Sequence, residues 1–476
     1  MKKLKTINGL LLVLGAFTLP GAAQAASLLE IYQQALQSDP QIHEAEARRL
    51  AALESKPQAR SVLLPQLNAT GSWTTLEPSG SQLDDALNET IDFERDVDGT
   101  TWEFELTQTL FRWDQVVNLR RADKEVARAE AVREAAQQDL IIRVAERYFG
   151  VLAAEDRLTS IHADRTAIAR QLEQAKQRFE VGLIAITDVQ ESQAAYDQSV
   201  ASEIAAKREL ATAREFLREI TGQHVPPLSA PGEDFPLITP DPSDEAGWVD
   251  LALSQNLNLI ASRLDEKLAR DEIAFQRTGH YPSIQLVARK SRSEFEGDSL
   301  TTGGPFAGPA TIDNIDENES ISVQLSVPIF TGGGTSSRVR EAVYLHRASR
   351  EQLQRVTRET ERQTRDSYLG FISERSRVKA LQQAVQSSRT ALEATQAGFE
   401  VGTRTIVDVL NSQFSLYLAI TNYYQSRYDY VLNALRLKQA AGNLAVQDLE
   451  RIDGFLRERK TPEDTIREEA AKDAES

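Results

Sequence analysis

One thirteen-residue stretch occurs twice in the chain, 220 residues apart. The first copy is FEVGLIAITDVQE at residues 179–191, and the second is FEVGTRTIVDVLN at residues 399–411. Each copy lies between two long helical patterns that contain no proline. Glycine can adopt the left-handed conformation that ends a helix, and a Thr or Asp just after it can cap the next helix. The repeat therefore predicts two tight turns, each joining two antiparallel helices.

The N-terminus has the pattern of a secretory signal over residues 1–25. Lys2, Lys3 and Lys5 precede an apolar run at 10–19, and small residues precede Ala26. A transmembrane anchor is the alternative, but the run is shorter than the about 18 apolar residues that a spanning helix needs. We therefore expect export and cleavage before Ala26.

Composition restricts the possible chemistry. The chain has no cysteine, which excludes disulfides and thiol catalysis. Loss of the three signal lysines takes the net charge from −17 to −20. This charge argues against nucleic acid as a partner, although it could simply keep the protein soluble.

Four segments alternate apolar and polar residues as strands do, at about 66–76, 100–111, 283–295 and 319–330. The pattern predicts a membrane β-barrel, and a soluble sandwich would show the same alternation. Four strands cannot close a barrel, because the smallest membrane barrels need about eight. A homotrimer would supply twelve strands. The polar stretches 77–99 and 296–318 are expected to be loops at the cell exterior.

Long helices are predicted at about 114–178 and 336–398, and shorter returning helices at 187–221 and 405–441. Each long helix would extend roughly 95–100 Å at about 1.5 Å per residue. Large and small residues alternate in heptads along the shorter helices, which favours coiled-coil packing over an ordinary bundle. The chain is thus predicted to hold a first repeat at 26–245, a second at 246–456 and a disordered tail at 457–476.

Residues 182–190 and 401–410 resemble the helix-turn tips of the TolC family of outer-membrane efflux and type I secretion channels. The resemblance extends over essentially the whole mature chain. It implies a mainly α fold with a membrane β-barrel: a trimeric α-barrel of long antiparallel coiled-coil helices joined to a twelve-stranded trimeric β-barrel. The implied location is the outer membrane, with a large periplasmic extension.

The resemblance also implies the partners. They are a periplasmic adaptor (membrane fusion) protein, an inner-membrane pump of the RND, ABC or MFS type, and outer-membrane lipid. Such a duct passes drugs or polypeptides, and the residues do not decide between these cargoes. Adaptor and pump would dock at the two turns, whose residues are Val181, Gly182, Leu183, Val401, Gly402 and Thr403.

Two further roles come with the resemblance. Asp408, repeated threefold, would form a carboxylate ring at the pore constriction, and the usual second acidic position is Asn411 here. Alternatively Asp408 is only a helix cap. Arg404 would form a gate latch with Thr187 and Asp188, and Phe399 replaces an aromatic hydroxyl of that latch. A surface ion pair worth about 0–1 kcal/mol is the simpler interpretation of Arg404.

No pattern in the chain points to catalysis or to a cofactor. The glycine-rich segment 331–337 lacks the lysine of a nucleotide-binding loop, and the five histidines show no metal-ligand spacing. Two other classes stay open at this point. One is a non-transporting trimeric coiled-coil surface or adhesion protein, and the other is a secreted enzyme on a helical stalk.

Overall fold

A computed structural model describes residues 25–84, 89–232, 236–237, 240–303 and 307–458. The predicted signal segment and tail lie almost wholly outside these residues. The helices are α1 Leu28–Ser38, α2 Pro40–Leu53, α3 Ser55–Ser61, α4 Trp113–Glu180, α5 Ile186–Thr221, α6 Glu245–Gln255, α7 Leu257–Arg277, α8 Gly334–Glu400, α9 Ile406–Ala441 and α10 Val446–Asp453. The strands are β1 Gln66–Leu76, β2 Ser79–Asp84, β3 Glu89–Phe111, β4 Ala230–Pro231, β5 Ser283–Thr302, β6 Gly308–Ser326 and β7 Leu456–Arg457.

The chain divides into two compact units, and each draws on both halves of the sequence. The sheet unit comprises Ala45–Glu134 and Leu257–Glu359. The helical unit comprises the segments up to Glu44, from Ala135 to Asn256 and from Thr360 onward. The two repeats predicted at 26–245 and 246–456 are therefore not the compact units, and the repeat division stays an interpretation of the sequence.

The sheet unit holds one antiparallel sheet with the strand order β1-β3-β5-β6, and β2 pairs with the outer part of β3. These strands include the four predicted ones, but three of them extend much further. The register of β3 with β5 runs without a break from Gln108 opposite Leu286 to Asp92 opposite Thr302. The predicted loops at 77–99 and 296–318 were wrong, because main-chain pairing continues where the apolar alternation stops.

Ion pairs join helices α4 and α7 within the sheet unit. Arg121 pairs with Glu272 at 2.7 Å, and Arg128 pairs with Asp265 at 2.5 Å. These pairs lie seven residues apart on both helices, so the two helices run antiparallel with matched charges along one seam.

The helical unit is built around an apolar core on α4, α5 and α9, closed by the short elements α1, α10, β4 and β7. Tyr148 of α4 is fully buried and donates a hydrogen bond to the Ser229 carbonyl at 2.6 Å. The predicted heptad positions of α5 and α9 are largely buried, including Leu210, Leu217 and Leu437. None of the described helices is long and apolar enough to cross a membrane.

One heptad position carries a charge. Glu203 of α5 is buried and forms ion pairs with Arg165 at 2.6 Å and Lys207 at 2.8 Å. His162 lies 3.5 Å from the same carboxylate. Burial acts to raise the pKa of Glu203, but the bonds from Lys207 and Arg165 outweigh it and hold that pKa below its usual range. A buried charge that needs specific partners favours one register of α4 against α5.

Candidate functional site

The two repeated stretches form turns of the same geometry, as the sequence predicts. Gly182 and Gly402 adopt left-handed conformations, with φ of 76° and 80°. The Leu183 amide donates to the Arg178 carbonyl at 2.9 Å, and the Thr403 amide donates to the Gly398 carbonyl at 2.8 Å. These are glycine-terminated helix ends in which the last carbonyls are satisfied within the turn.

Apolar side chains project from both turns. Val181 is 70% exposed, Leu183 is 73% exposed and Val401 is 75% exposed. Gly182, Gly402 and Thr403 are exposed as well. Three large aliphatic groups held on hydrogen-bonded turns provide a rigid apolar surface, of the kind that marks a protein interaction site.

The helices after the two turns begin differently. Thr405 caps α9: its hydroxyl accepts from the Asp408 amide at 3.3 Å, and its own amide donates to Asp408 Oδ2 at 2.9 Å. Ala185, the residue at the same place before α5, offers no side-chain cap.

The capping interpretation of Asp408 is therefore correct within one chain. The hydrogen bonds from the Thr405 amide and hydroxyl, together with nearby Arg404, hold the pKa of Asp408 below its usual range, so the carboxylate stays charged. The exposed Asn411 lies one turn further along α9. A ring needs three copies of the chain, and the constriction stays a prediction.

Arg404 packs against its own turn. A Cβ atom at Gly398 would approach the Arg404 Cγ to 2.8 Å, so glycine is needed there to admit the arginine. Within the part of the chain that the structure describes, Arg404 makes no hydrogen bond or ion pair with Thr187 or Asp188. One chain does not bring the predicted latch together, and the latch stays a prediction about contacts in an assembly.

Phe399 has a partner that the sequence did not reveal. The Arg178 guanidinium of α4 lies over the Phe399 ring, 5.0 Å from its centroid. This cation–π contact joins the ends of α4 and α8.

Gln413 of α9 makes a buried polar contact near the turns that sequence reasoning missed. The side chain is 2% exposed. Its Nε2 donates to Asp164 Oδ1 at 3.0 Å, and its Oε1 accepts from Gln171 Nε2 at 2.7 Å. Burial raises the pKa of Asp164 above its usual value, against the opposing effect of the Gln413 bond. The available signal was spacing, because Gln413 shares a helix face with the heptad positions Val409 and Leu416.

Comparison with known proteins identifies the family. The model of the outer membrane efflux protein family matches residues 31–223 and 248–443. The chain belongs to the outer membrane efflux protein family. It is similar to the outer membrane protein TolC of Vibrio cholerae, with 38% identity over 443 residues that cover 92% of this chain and 96% of the relative. It is also similar to the alkaline protease secretion protein AprF of Pseudomonas aeruginosa, with 29% identity over 92% of this chain and 89% of the relative.

Solved structures confirm the predicted fold class. The outer membrane channel CmeC of Campylobacter jejuni superposes with a TM-score of 0.69 at 15% identity, over 98% of this chain and 97% of that one. A structure of CusC gives a TM-score of 0.72 at 15% identity, over 88% of this chain and 92% of that one. The chain thus has the long-helix barrel and β-domain of this family.

The function class follows from the relatives. This chain is an outer-membrane exit duct of the efflux and type I secretion kind, with a periplasmic helical extension, and it is not an enzyme. Channels of this family work as trimers together with pumps and adaptors. Neither the surface-adhesion alternative nor the secreted-enzyme alternative finds support among these relatives.

Proposed function

We propose that a homotrimer of this chain receives cargo from an inner-membrane pump of the RND, ABC or MFS type through a periplasmic adaptor. The pump supplies the energy, and the duct supplies a gated passage to the exterior. The relatives include a protein named for protease secretion and structures named as efflux channels. Cargo of both kinds, small molecules and polypeptides, is therefore part of the proposal.

The exposed apolar turns are the single observation that carries the docking proposal. Val181, Leu183 and Val401 project from two turns of matched geometry, and the main-chain bonds of each turn hold these side chains in place. An adaptor that covers them would bury apolar surface at about 25 cal/mol per Å² without ordering a loop. The near-identity of the two turns means that one adaptor motif could use both.

The docking proposal is tested with Val401→Asp and Leu183→Asp. Each places a charge in the buried centre of the proposed interface. We expect loss of adaptor copurification and loss of growth on toxic compounds in a strain that depends on this duct. Val401→Thr is the matched control, because it keeps the β-branched shape and should retain function. Normal export by a trimeric Val401→Asp protein would rule out docking at this turn.

The gate is proposed at the same end of the helices. Three copies of Asp408 would form the narrowest point, one turn before Asn411. Arg404 would link the α8–α9 pair to Thr187 and Asp188 of the α4–α5 pair in the assembly. The Thr405 bonds keep Asp408 charged, as a carboxylate ring requires. Among the residues that the structure describes, Arg404 makes no hydrogen bond or ion pair with Thr187 or Asp188, so the proposed latch forms only when chains associate.

A further inference from the structure

The pairing of the strands shows on which face of the sheet each residue lies. Directly opposed residues in adjacent strands point to the same face. One row is apolar across the whole sheet: Leu67, Leu106, Ala288 and Ile321. The row next to it toward the helices contains Leu286 and Val323, and the opposite face bears polar residues such as Ser322 and Gln324. Because this chain is an outer-membrane duct, the apolar face is the lipid face.

The rows above this apolar region change character in a regular order. The next row holds Ala69, Phe104, Lys290 and Glu319. The row after it holds Gly71, Trp102, Arg292 and Glu317. Aromatic rings at the edge of an apolar band mark the level of the lipid headgroups in membrane barrels. Lys290 and Arg292 therefore lie on the lipid face at headgroup height.

Lys290 and Arg292 are the two basic residues on the lipid face, among the described residues of the four long strands. Further toward the strand tips the same face is acidic, with Asp98 opposite Glu296 and Asp96 opposite Asp298. An anionic headgroup is repelled from those acidic rows. An anionic headgroup would therefore bind at the two rows that contain Lys290 and Arg292.

Both cations are available for a ligand. Lys290 pairs with Glu319, and their side chains are 67% and 71% exposed. Arg292 pairs with Glu317 at 3.3 Å and lies 3.6 Å from Glu294. Exposed ion pairs of this kind are worth only about 0–1 kcal/mol, whereas guanidinium–phosphate contacts are among the stronger charge-assisted bonds. Each cation also has further N–H donors beyond its carboxylate contact.

We propose that Lys290 and Arg292 bind the phosphates of lipopolysaccharide on the outer surface of the barrel. The phosphorylated glycolipid of the outer leaflet matches the surface in two ways. Its phosphates meet Lys290 and Arg292, and its acyl chains lie along Leu286, Ala288 and Val323 below them. The site would hold the duct at a fixed height in an asymmetric bilayer.

The test uses the full-length trimer, purified, delipidated and then exposed to bisphosphorylated lipid A or to the same lipid with its phosphates removed. Native mass spectrometry counts the lipid bound to each intact trimer. We expect wild-type protein to bind the phosphorylated form at least about tenfold more tightly, and Lys290→Ser with Arg292→Ser to lose that preference. A tenfold difference corresponds to about 1.4 kcal/mol.

Arg289→Ser is the matched control, because Arg289 is the neighbouring cation but pairs with Glu103 and Glu105 on the polar face. It should bind lipid A as the wild type does. Glu317→Gln with Glu319→Gln should strengthen binding by removing one carboxylate partner from each cation. Equal binding of the two lipid forms by wild type, an unaffected double serine variant, or equally tight binding of phosphatidylglycerol would each overturn the proposal.

Discussion

The α4–α5 pair and the α8–α9 pair end in the same turn, but they are stabilised differently near it. The first pair has its own apolar cluster, in which Leu172 and Ala175 of α4 pack with Val189 of α5. Over the described residues, no separate apolar cluster joins α8 and α9 near their turn. Among residues 379–400 of α8, all of which the structure describes, none is buried. Helix α9 buries Ile406, Val409 and Leu416 near the turn, and between them Gln413 makes polar contacts with α4.

The difference assigns separate mechanical roles to the two pairs. The apolar packing between α4 and α5 near the turn adds to the Glu203–Arg165 ion pair further along, so we expect this pair to stay together as a unit. Hydrogen bonds from Gln413 to Asp164 and Gln171 are directional, and they break over a short displacement. If the duct opens at the turns, we expect the α8–α9 pair to be the part that moves, with the Gln413 bonds contributing to the cost of that movement.

Removing the Gln413 side chain should produce the largest effect. Gln413→Ala leaves Asp164 and Gln171 without their buried partner, which costs about 1–3 kcal/mol per unsatisfied group. We expect a higher single-channel conductance in planar bilayers and a lower unfolding temperature of the helical unit. Gln425→Ala is the control, because Gln425 lies on the same helix and, among the described residues, its side chain bonds to Asp429 of that helix. Equal conductance for both variants would show that Gln413 does not restrain opening.

Arg404→Ser should have the next largest effect. If Arg404 links the two pairs in the trimer, its loss removes about 0.5 kcal/mol at each of three copies, and together these would shift the balance of closed and open states on the order of tenfold. The expected result is a small wild-type conductance that rises in the variant. A conductance no higher than wild type, from a verified trimer, would refute the latch with Thr187 and Asp188.

Acid pH should act with opposite signs on two contacts of α4: the Asp164 contact with α9 and the Glu203 contact with α5. The raised pKa of Asp164 means that its desolvation cost is present above its folded pKa and is relieved as the pH falls through that value. The lowered pKa of Glu203 means that its contribution is present at neutral pH and is lost only as the pH falls below the ordinary carboxyl range.

Asp164→Asn tests the first of these effects. The variant keeps an oxygen that can accept from Gln413 but removes the charge. We expect it to unfold at a higher temperature than wild type near pH 7.5, because the desolvated charge is gone. The difference should shrink as the pH falls through the raised pKa of Asp164 and disappear below the ordinary aspartate pKa. Thermal unfolding followed by circular dichroism across this range would measure both, and a difference that is constant with pH would contradict a titrating Asp164.

The sequence predicted the helical elements closely and the charged strands poorly. Helix α5 begins at Ile186 where Thr187 was predicted, and α8 ends at Glu400 two residues after the prediction, because glycine turns mark these ends. Strand β3 extends back to Glu89 through Asp96 and Asp98, which interrupt the apolar alternation without interrupting main-chain pairing. The Gln413 contact could not be predicted, because Asp164 lies 249 positions earlier in the chain and only the packing of α9 on α4 brings them together.

The smallest predicted effect concerns the ring at the turn of the second pair. Asn411 is exposed one turn beyond Asp408, so Asn411→Asp would double the carboxylates at the proposed constriction from three to six in a trimer. We expect a shift of the reversal potential toward cation selectivity in a salt gradient, and stronger block by multivalent cations.

Ser415→Asp is the control for this prediction. It adds the same charge one turn further on, at another exposed position of α9, and should shift the reversal potential less. Since the field of a charge falls with distance and is screened over about 10 Å at 0.1 M salt, the ratio of the two shifts measures how close Asn411 lies to the narrowest point. Equal shifts, or none for Asn411→Asp, would move the constriction away from Asp408 and leave that side chain with its capping role alone.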